Sequence, residues 1–460
     1  MGERCSPRSA RLVSAMVAAI AVAAAVVMVR GVAAAQTGRP GSAAVPARLQ
    51  ILYTAPVLVR AGERVLVPVD AICASVRGVP CRARVTMRAA AGLGPFRAAT
   101  AEASPGLRFD LSAVAARALA GGGSSGSVRF SIEANGGGAQ AALPAAAVDS
   151  PLRFYVAKSL RELRVPAIAF GRLRRGRTVL SLPWGTGPRR AGIALSEGDV
   201  PVGPASFDVD RRGRVLLLDT EQSRLGTFAN GRLVSAASLP LAPRSDLAAT
   251  ADGGVDVLVP GADGRVDVRR IAADGSPGAA IDVPMSAATG IAGAIRAVGE
   301  DAFVHLFPLD AWVPVAGPSS ARGTAGLSVG EPLKGGRRLV SVVRARRVRL
   351  ATVDEGRIRD AVELWFRREL GELALAATYG DDGYVAVVHV WRGGPHPADA
   401  FQVVRVAGGR IASSFLLPSR SYTSGVPQSS FRLGPDGALY QLRTLPTGVR
   451  VVRYRIGGGS

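Results

Sequence analysis

The sequence predicts an all-β protein, in which an N-terminal β-sandwich is followed by a six-bladed β-propeller. The propeller is indicated first by residues 206–240, where four short strand patterns are separated by turns, including turns at Gly213 and Gly231. Four antiparallel strands in about 40 residues have the size of one propeller blade. The propeller is indicated also by degraded copies of this unit, which return along the chain to its C-terminus.

The copies align with the first unit at fixed offsets. Residues 431–442 match residues 207–218 without a gap, and residues 402–418 match residues 224–240 in the same way. Blade starts are predicted near Phe207, Leu247, Ile295, Arg337, Leu375 and Phe431. Their mean spacing of about 45 residues lies within the range of propeller blades. Six blades are favoured, and five remain open if residues 294–364 form one blade with a long insertion.

The two ends of the propeller are expected to pair with each other. The last copy contains a candidate outer strand at 449–456 and then stops one strand short of a full blade. Residues 177–183 have the pattern of a fourth strand and precede the first blade. Pairing of this strand with the last blade would close the ring without a free edge. The propeller domain is therefore predicted to span residues 158–460.

The first blade resembles an NHL-type repeat of six-bladed propellers. The resemblance is carried by a strand, a glycine turn, the run VLLLDTEQSR, a third strand and the run NGRLV. Residues 182–188 (LPWGTGP) and 204–207 (PASF) are similar to the segment that leads into the ring of uncharacterised secreted bacterial propeller proteins. The resemblance covers residues 177–457. It implies a fold, and a fold by itself does not imply a function.

Residues 48–157 are predicted to form the β-sandwich. They contain several short strand patterns, such as 64–72 and 127–134, but they lack the propeller repeat. The stretches that resemble bacterial fibronectin type III or Ig-like modules are 85–88, 94–97 and 132–144.

Residues 1–35 are predicted to be a signal peptide. Three arginines precede an uncharged apolar stretch at 12–29, and small residues follow at 33–35. The apolar stretch is also long enough to span a bilayer, so an uncleaved membrane anchor is the alternative. Residues 36–47 have the composition of a linker. The protein is therefore expected to be secreted or extracytoplasmic, with membrane contact only through 12–29 if that segment is retained.

Cysteine usage agrees with an exported protein. If residues 1–35 are removed, Cys73 and Cys81 are the cysteines that remain. They flank a predicted hairpin, and an even number of cysteines in an oxidising compartment predicts a disulfide between them. Two buried free thiols are the alternative.

The chain carries a formal net charge of +22 at pH 7. A basic exported protein is attracted to anionic surfaces by a salt-sensitive force. The expected partner is therefore an unidentified protein or an anionic glycan or other envelope polymer. Nucleic acid is not expected as a partner, since the location is extracytoplasmic and no aromatic residues interleave with the basic clusters at 172–177 and 344–349.

No catalytic constellation is predicted from the sequence. The histidines are His305, His389 and His396, whose spacing matches no zinc motif, and no serine lies in a G-x-S-x-G motif. Four aspartates beside blade turns are explained more simply as turn caps than as a Ca²⁺ site. These aspartates are Asp208, Asp210, Asp252 and Asp436. No catalytic residue, metal ligand or cofactor is therefore expected.

The predicted function is non-enzymatic binding on a propeller face. Propellers bring many loops to one face of a rigid ring, so a binding surface forms readily there. The alternative is a propeller-type hydrolase or lyase with a metal in the central channel. The candidate ligand-binding residues are Trp184, Arg189, Arg190, Trp312 and Trp391. The tryptophans are expected in loops, where an indole can stack on a ligand, although for Trp184 a role in filling the ring closure is favoured.

Overall fold

The computed structural model describes most of the chain, and every structural statement below refers to the described residues. These are 48–53, 58–74, 82–89, 99–102, 107–120, 125–135, 147–195, 201–242, 244–261, 265–283, 291–307, 311–321, 328–380, 383–393, 398–423 and 429–457. The targeting segment 1–35, the linker 36–47, Cys81 and His396 lie outside them. No helix within these ranges is long and apolar enough to cross a bilayer.

The N-terminal module, residues 48–157, contains two sheets. Its elements are β1 (Arg48–Tyr53), β2 (Leu58–Arg60), β3 (Leu66–Ala74), β4 (Arg82–Ala89), β5 (Ala99–Glu102), β6 (Leu107–Asp110), α1 (Ser112–Ala120), β7 (Ser125–Asn135) and β8 (Ala147–Ala157). Strands β1, β3 and β6 form one sheet, and β2, β8, β7, β4 and β5 form the other in that order. Strand β1 contacts β7 and β8, so the two sheets touch.

Two sequence predictions concern this module. Cys73 lies in β3, opposite Leu49 of β1. Because Cys81 is outside the described residues, the disulfide between Cys73 and Cys81 stays a prediction. The resemblance to fibronectin type III and Ig-like modules also stays a prediction.

Helix α1 is an element that the sequence analysis did not predict. It reads SAVAARALA, and alanine has the highest helix propensity. Three of its apolar side chains are buried, Val114, Ala115 and Ala118, on one face of the helix. The Asp110 carboxylate accepts a hydrogen bond from the Ser112 N–H at 2.8 Å. This bond satisfies one of the amides that the first helical turn leaves unpaired.

The first half of the propeller follows two strands, β9 (Arg161–Arg164) and β10 (Arg177–Pro183). Blade 1 consists of β11 (Ser206–Val209), β12 (Val215–Asp219), β13 (Arg224–Ala229) and β14 (Arg232–Ser238). Blade 2 consists of β15 (Asp246–Ala249), β16 (Val255–Pro260), β17 (Val266–Ile271) and β18 (Pro277–Asp282). Blade 3 consists of β19 (Ile291–Val298), β20 (Asp301–Phe307), β21 (Ala311–Ala316) and β22 (Ser328–Val329), with the short helix α2 (Pro318–Ala321) after β21.

The second half has the same design. Blade 4 consists of β23 (Glu331–Pro332), a 3-10 turn (Lys334–Gly336), β24 (Arg338–Arg344), β25 (Arg347–Asp354) and β26 (Arg357–Trp365). Blade 5 consists of β27 (Leu370–Thr378), β28 (Tyr384–Arg392), β29 (Ala398–Ala407) and β30 (Arg410–Leu417). Blade 6 consists of β31 (Phe431–Leu433), β32 (Leu439–Leu445) and β33 (Gly448–Tyr454), completed by β10.

The prediction of an all-β chain with a six-bladed propeller is confirmed. Strands β19–β22 and strands β23–β26 form two separate sheets. The five-blade alternative, which joined residues 294–364 into one blade, is therefore wrong.

The core of the propeller lies between neighbouring blades rather than within one layer. In β12 of blade 1, Leu217 packs against blade 6, whereas Leu216 and Leu218 pack against blade 2. Both faces of the strand are therefore buried, which explains its continuous apolar run VLLL. At blade 4 the N-terminal module supplies part of this packing, because Leu58 of β2 and Val340 of β24 belong to the same buried apolar cluster.

Residues 161–183, here the lead-in segment, run along three blades before the ring begins. Strand β9 pairs in parallel with β26 and extends blade 4. Leu173 forms a bridge with Leu416 of β30 in blade 5. Strand β10 pairs antiparallel with β33 and completes blade 6. The segment thus covers the outer edges of three successive blades with its own backbone.

Replacement of Gly448 by alanine is expected to destabilise the β10–β33 pairing. Gly448 has a φ of +144°, and an added Cβ would lie 2.1 Å from the carbonyl oxygen of Leu182 in β10. We expect the free energy of unfolding to fall by about 1–3 kcal/mol, as measured by thermal or urea denaturation. Gly187→Ala is the matched control, since Gly187 has a φ of +112° but nothing within 4 Å of its Cβ position. Equal losses in the two variants would contradict the steric argument.

Candidate functional site

A cluster of charged side chains lies where the first strands of five blades converge. We call Ser206, Asp208, Asp246, Arg296, Glu331 and Arg432 the central cluster. They belong to β11, β15, β19, β23 and β31. Direct contacts between side chains of different blades place the cluster at the centre of the ring.

The guanidinium of Arg432 reaches from blade 6 past blade 1 to blade 2. Its Nε donates a hydrogen bond to the Phe207 carbonyl at 2.9 Å. Its Nη2 donates to the Leu247 carbonyl at 2.9 Å and to Oδ1 of Asp246 at 3.0 Å. One side chain therefore joins the first strands of three blades.

Asp246 is fully buried, and both of its carboxylate oxygens accept hydrogen bonds. Oδ1 accepts from Arg432 and from the Ser206 hydroxyl at 2.5 Å, and Oδ2 accepts from the Ile295 N–H at 3.0 Å. Asp208 makes a similar link, because its Oδ2 accepts from the Ala249 N–H at 2.9 Å. Each carboxylate thus ties its own blade to the backbone of the next one.

Arg296 of blade 3 completes the cluster. Its Nε donates to Oε1 of Glu331 at 2.8 Å, and its Nη1 lies 4.0 Å from Oδ2 of Asp246. Burial alone would lower the pKa of Arg296, but Glu331 and Asp246 raise it. For Arg432, burial and the charge of Arg296 together lower the pKa, while Asp246 acts against them. Both groups remain guanidinium cations at any ordinary pH.

The central cluster is an ion network in which Ser206, Asp246 and Arg432 are buried, and Asp208, Arg296 and Glu331 are half-buried. A metal in the channel would need carboxylate oxygens that are free to coordinate it. Those of Asp246 already accept from a guanidinium, a hydroxyl and a backbone amide. Among the described residues, no group of three or more His, Cys, Asp or Glu side chains is arranged to hold a metal ion.

The sequence analysis missed this cluster and misassigned one of its members. Asp208 was expected to cap a turn, but it lies in β11 and accepts a hydrogen bond from blade 2. Asp210, Asp252 and Asp436 do accept hydrogen bonds from backbone amides of the turns that follow them. The ungapped alignment of residues 207–218 with 431–442 places Asp208 opposite Arg432. Opposite charges at equivalent positions of neighbouring blades were therefore a usable signal.

The predicted binding residues near the ring closure lie together. Trp184 is half-buried, and its Nε1 donates to the Leu445 carbonyl of blade 6 at 2.8 Å. Its ring centroid lies 6.5 Å from that of Tyr422. Arg190 is exposed and donates to the Trp184 carbonyl at 2.9 Å. The neighbouring Arg189 is also exposed. Trp184 thus fills space at the closure, and the two arginines present positive charge beside it.

The other two candidate tryptophans, Trp312 and Trp391, lie in strands, not in the predicted loops. Trp312 is in β21 and only 6 % exposed, with its ring 4.9 Å from that of His305. Trp391 is in β28 and 51 % exposed. The buried Trp312 is therefore shielded from a large ligand, whereas Trp391 offers an open aromatic face. Neither lies beside Trp184, so the predicted residues do not form one site.

His389 and Asp399 form a polar pair next to Trp391. His389 Nε2 lies 2.9 Å from Oδ2 of Asp399, and its ring meets the Trp391 ring edge-on at a centroid distance of 4.5 Å. Burial alone would raise the pKa of Asp399, but its bond to His389 and the nearby Arg420 help to lower it. The pair could orient a ligand next to Trp391. The sequence analysis predicts no nucleophile near this pair.

Comparisons with known proteins add little to this description. No protein-family model matches the chain, and no curated protein sequence matches it. Among solved structures, virginiamycin B lyase from Staphylococcus aureus is 9% identical, with a TM-score of 0.34 over 58% of this chain and 99% of that one. A protein of unknown function from Bacteroides caccae is 15% identical, with a TM-score of 0.32 over 48% of this chain and 83% of that one. A putative 6-phosphogluconolactonase from Bacteroides uniformis is 14% identical, with a TM-score of 0.29 over 59% of this chain and 93% of that one. Similarities this distant carry no argument about function.

Proposed function

We propose that this protein is an extracytoplasmic, non-enzymatic binding protein that presents a propeller face to an anionic envelope polymer or a protein partner. In this proposal residues 48–157 form an Ig-like module, and residues 158–460 form an NHL-type propeller. The observation that carries the proposal is the central cluster. Its buried carboxylate Asp246 accepts hydrogen bonds from protein donors at both oxygens, which supports a role of the cluster in bracing the ring.

The surface supports the choice of an anionic partner. The chain has a formal net charge of +22. Arg189, Arg190 and Arg392 are all exposed on the propeller, where they remain hydrated. Trp391, next to Arg392, adds an exposed indole that can stack on a sugar ring. A rigid ring that carries such groups favours multivalent, salt-sensitive contact with a polymer.

The alternative function is a propeller-type hydrolase or lyase with a metal in the channel. The observation in its favour is that Asp208, Asp246 and Glu331 belong to one cluster, in which Arg296 and Arg432 lie between them. This function would require Arg296 and Arg432 to leave their carboxylate partners. The hydrogen-bonded pair His389–Asp399, which lies next to Trp391 and outside the central cluster, could supply acid or base chemistry in place of a metal.

Thermal denaturation of the purified chain tests the two functions against each other. A ligand that binds only the folded state raises the midpoint of thermal unfolding. The stabilisation grows with the logarithm of the ligand concentration once that concentration exceeds Kd. Heparin, as an anionic glycan, and peptidoglycan fragments are expected to raise it, and moderate salt is expected to abolish the shift. A rise with Ca²⁺ that a chelator reverses would contradict this expectation and favour the metal-dependent enzyme.

A pair of variants locates the binding face. Trp391→Ala is expected to leave the midpoint of the free protein within about 2 °C, because exposed substitutions change stability little. It should reduce the ligand-induced shift. Leu195→Ala is the matched control, since Leu195 is also an exposed apolar side chain but is not a candidate binding residue. Equal ligand shifts in the two variants would remove Trp391 from the proposed face.

A further inference from the structure

A cleft lies between blades 3 and 4, away from the residues singled out in the sequence. It encloses about 270 Å³. From blade 3 it is lined by Asp301 and Phe303, among others, and from blade 4 by the 3-10 turn and the first residue of β24. A cavity of this size is slightly smaller than most small-molecule sites, so it suits a compact ligand.

Three cationic side chains line this cleft, Lys334, Arg337 and Arg338. Lys334 and Arg337 are exposed, and Arg338 is half-buried. The one carboxylate in the lining, Asp301, is already engaged, since Ser319 donates to both of its oxygens at 2.7 and 2.6 Å. The cleft therefore carries a net positive charge.

Arg338 is the most informative of the three cations. Its guanidinium lies over the Phe303 ring at 5.5 Å from the centroid. Its Nη1 is buried and has no hydrogen-bond partner among the described residues. A buried guanidinium N–H without a partner is costly, and an anion is the strongest acceptor for it. Burial lowers the pKa of Arg338, which is the direction expected for a cation that lacks an anionic neighbour.

The turn that carries the cations has an open backbone. Gly335 and Gly336 have φ values of +72° and +76°, and nothing lies within 4 Å of either Cβ position. Side chains rarely adopt such φ values, so glycine is needed for this turn to form. The absence of Cβ atoms leaves space for an oxyanion to approach the main chain closely.

We propose that the cleft between blades 3 and 4 is an anion-binding site that takes the phosphate or carboxylate of one sugar-sized group. The guanidinium of Arg338 and the side chains of Lys334 and Arg337 together hold the oxyanion. This inference goes beyond the proposed function, because the cleft lies at the turns between the first and second strands of blades 3 and 4, whereas Trp391 lies at the other end of its blade, before the turn between the second and third strands.

Isothermal titration of the full chain with inorganic phosphate, glycerol phosphate and galacturonic acid tests the site. We expect saturable binding of at least one of them with one site per chain. Phosphate and glycerol phosphate without galacturonic acid would identify a phosphorylated ligand, and the reverse would identify a uronic acid. No saturable binding of any of the three at millimolar concentration would overturn the proposal.

Two variants assign the binding to the cleft. Arg338→Met is expected to weaken the affinity about tenfold or more, because it removes a charged hydrogen bond. Lys334→Gln changes an exposed side chain, so it tests the site without risk to the fold, and it should weaken binding several-fold. Arg410→Gln, an exposed arginine of blade 5, is the control and should bind as the unaltered chain does. Unchanged affinity in both cleft variants would refute the assignment.

A parallel measurement separates this inference from the proposed function. Heparin binding is measured on the unaltered chain and on Lys334→Gln. Heparin binding together with a failed titration would overturn the cleft site and leave the binding function standing. If the unaltered chain bound neither heparin nor any of the three small ligands, the cleft site and the proposed function would both be overturned.

Discussion

Replacement of Arg432 by methionine is expected to lower the free energy of unfolding by about 3–5 kcal/mol. Methionine fills a similar volume but leaves Asp246 as a buried carboxylate without its nearest cation. The carbonyls of Phe207 and Leu247 lose their donor as well. Urea denaturation should show a lower midpoint with an unchanged slope, since the surface exposed on unfolding stays the same.

Arg453→Met is the control for this experiment, because Arg453 is another arginine of blade 6 that pairs with an aspartate. Arg453 lies 2.7 Å from Asp436, but the two side chains are 25 % and 36 % exposed. Exposed ion pairs contribute about 0–1 kcal/mol, so this variant should unfold almost as the unaltered protein does. Equal destabilisation by the two substitutions would show that burial of the central cluster does not govern its contribution.

Replacement of Arg349 by methionine is expected to cost a similar amount, about 3–5 kcal/mol. Arg349 is a buried residue of blade 4, and its Nε donates to Oε1 of the fully buried Glu363 at 2.6 Å. Its Nη1 donates to Oε2 of Glu63 in the N-terminal module at 2.5 Å. The substitution therefore leaves the buried Glu363 without its cation, and it leaves Glu63 with only the Arg344 guanidinium at 3.3 Å and the Arg60 N–H at 3.3 Å. It should also loosen the module, which limited proteolysis within residues 48–157 would detect.

The matched control is Arg60→Met, which removes an exposed ion pair between the same two parts of the chain. Arg60 lies 2.5 Å from Glu162, and both side chains are 46 % exposed. A loss below about 1 kcal/mol is expected, with no new cleavage in the module. If Arg349→Met left the proteolysis pattern and the unfolding midpoint unchanged, the ion network would not hold the module to blade 4.

The attachment of the module should also depend on pH. Burial alone would raise the pKa of Glu63, but hydrogen bonding and charge from Arg349, with a smaller effect of Arg344, lower it below the usual value of 4.5. A carboxyl whose pKa is lower in the folded state contributes stability above its unfolded pKa, and this contribution is lost as the pH falls through the folded value. Proteolysis of the module should therefore accelerate in acid, and less so in Glu63→Gln.

The repeat architecture could be read from the sequence because it depends on local patterns. Short apolar runs and turn glycines recur along the chain, so the first strands of blades 1, 2 and 6 begin within one residue of the predicted Phe207, Leu247 and Phe431. The start predicted at Arg337 was wrong, because it precedes the second strand of blade 4, and the first strand is the two-residue β23. Strand β9 was missed because its parallel partner β26 is remote in the chain and the strand itself, RELR, has no apolar pattern. Helix α1 was missed because a short alanine-rich segment between strands gives a weak signal.

The candidate sites were harder to predict, for a different physical reason. The sequence does not show whether a charged side chain is solvated at the surface or forms an ion pair inside the ring. Arg432 and Asp246 meet only after the blades are arranged in a circle, and no local spacing encodes their contact. The basic turn at Lys334–Gly336 lines a cleft only because blade 3 packs beside it. The burial of Trp312 could not be predicted either, because it depends on the residues that pack around it in the folded chain.

The lead-in segment has a consequence for the order of biosynthesis. Strand β10 is made early, whereas its partner β33 lies at the end of the chain. At translation rates of about 5–20 residues per second, β10 therefore waits on the order of tens of seconds with an open edge. Arginines precede this strand and begin it, and their like charges would repel a second nascent copy of the same edge: Arg172, Arg174, Arg175 and Arg177. We therefore expect this basic stretch to hinder edge-to-edge pairing of nascent copies until the ring is complete.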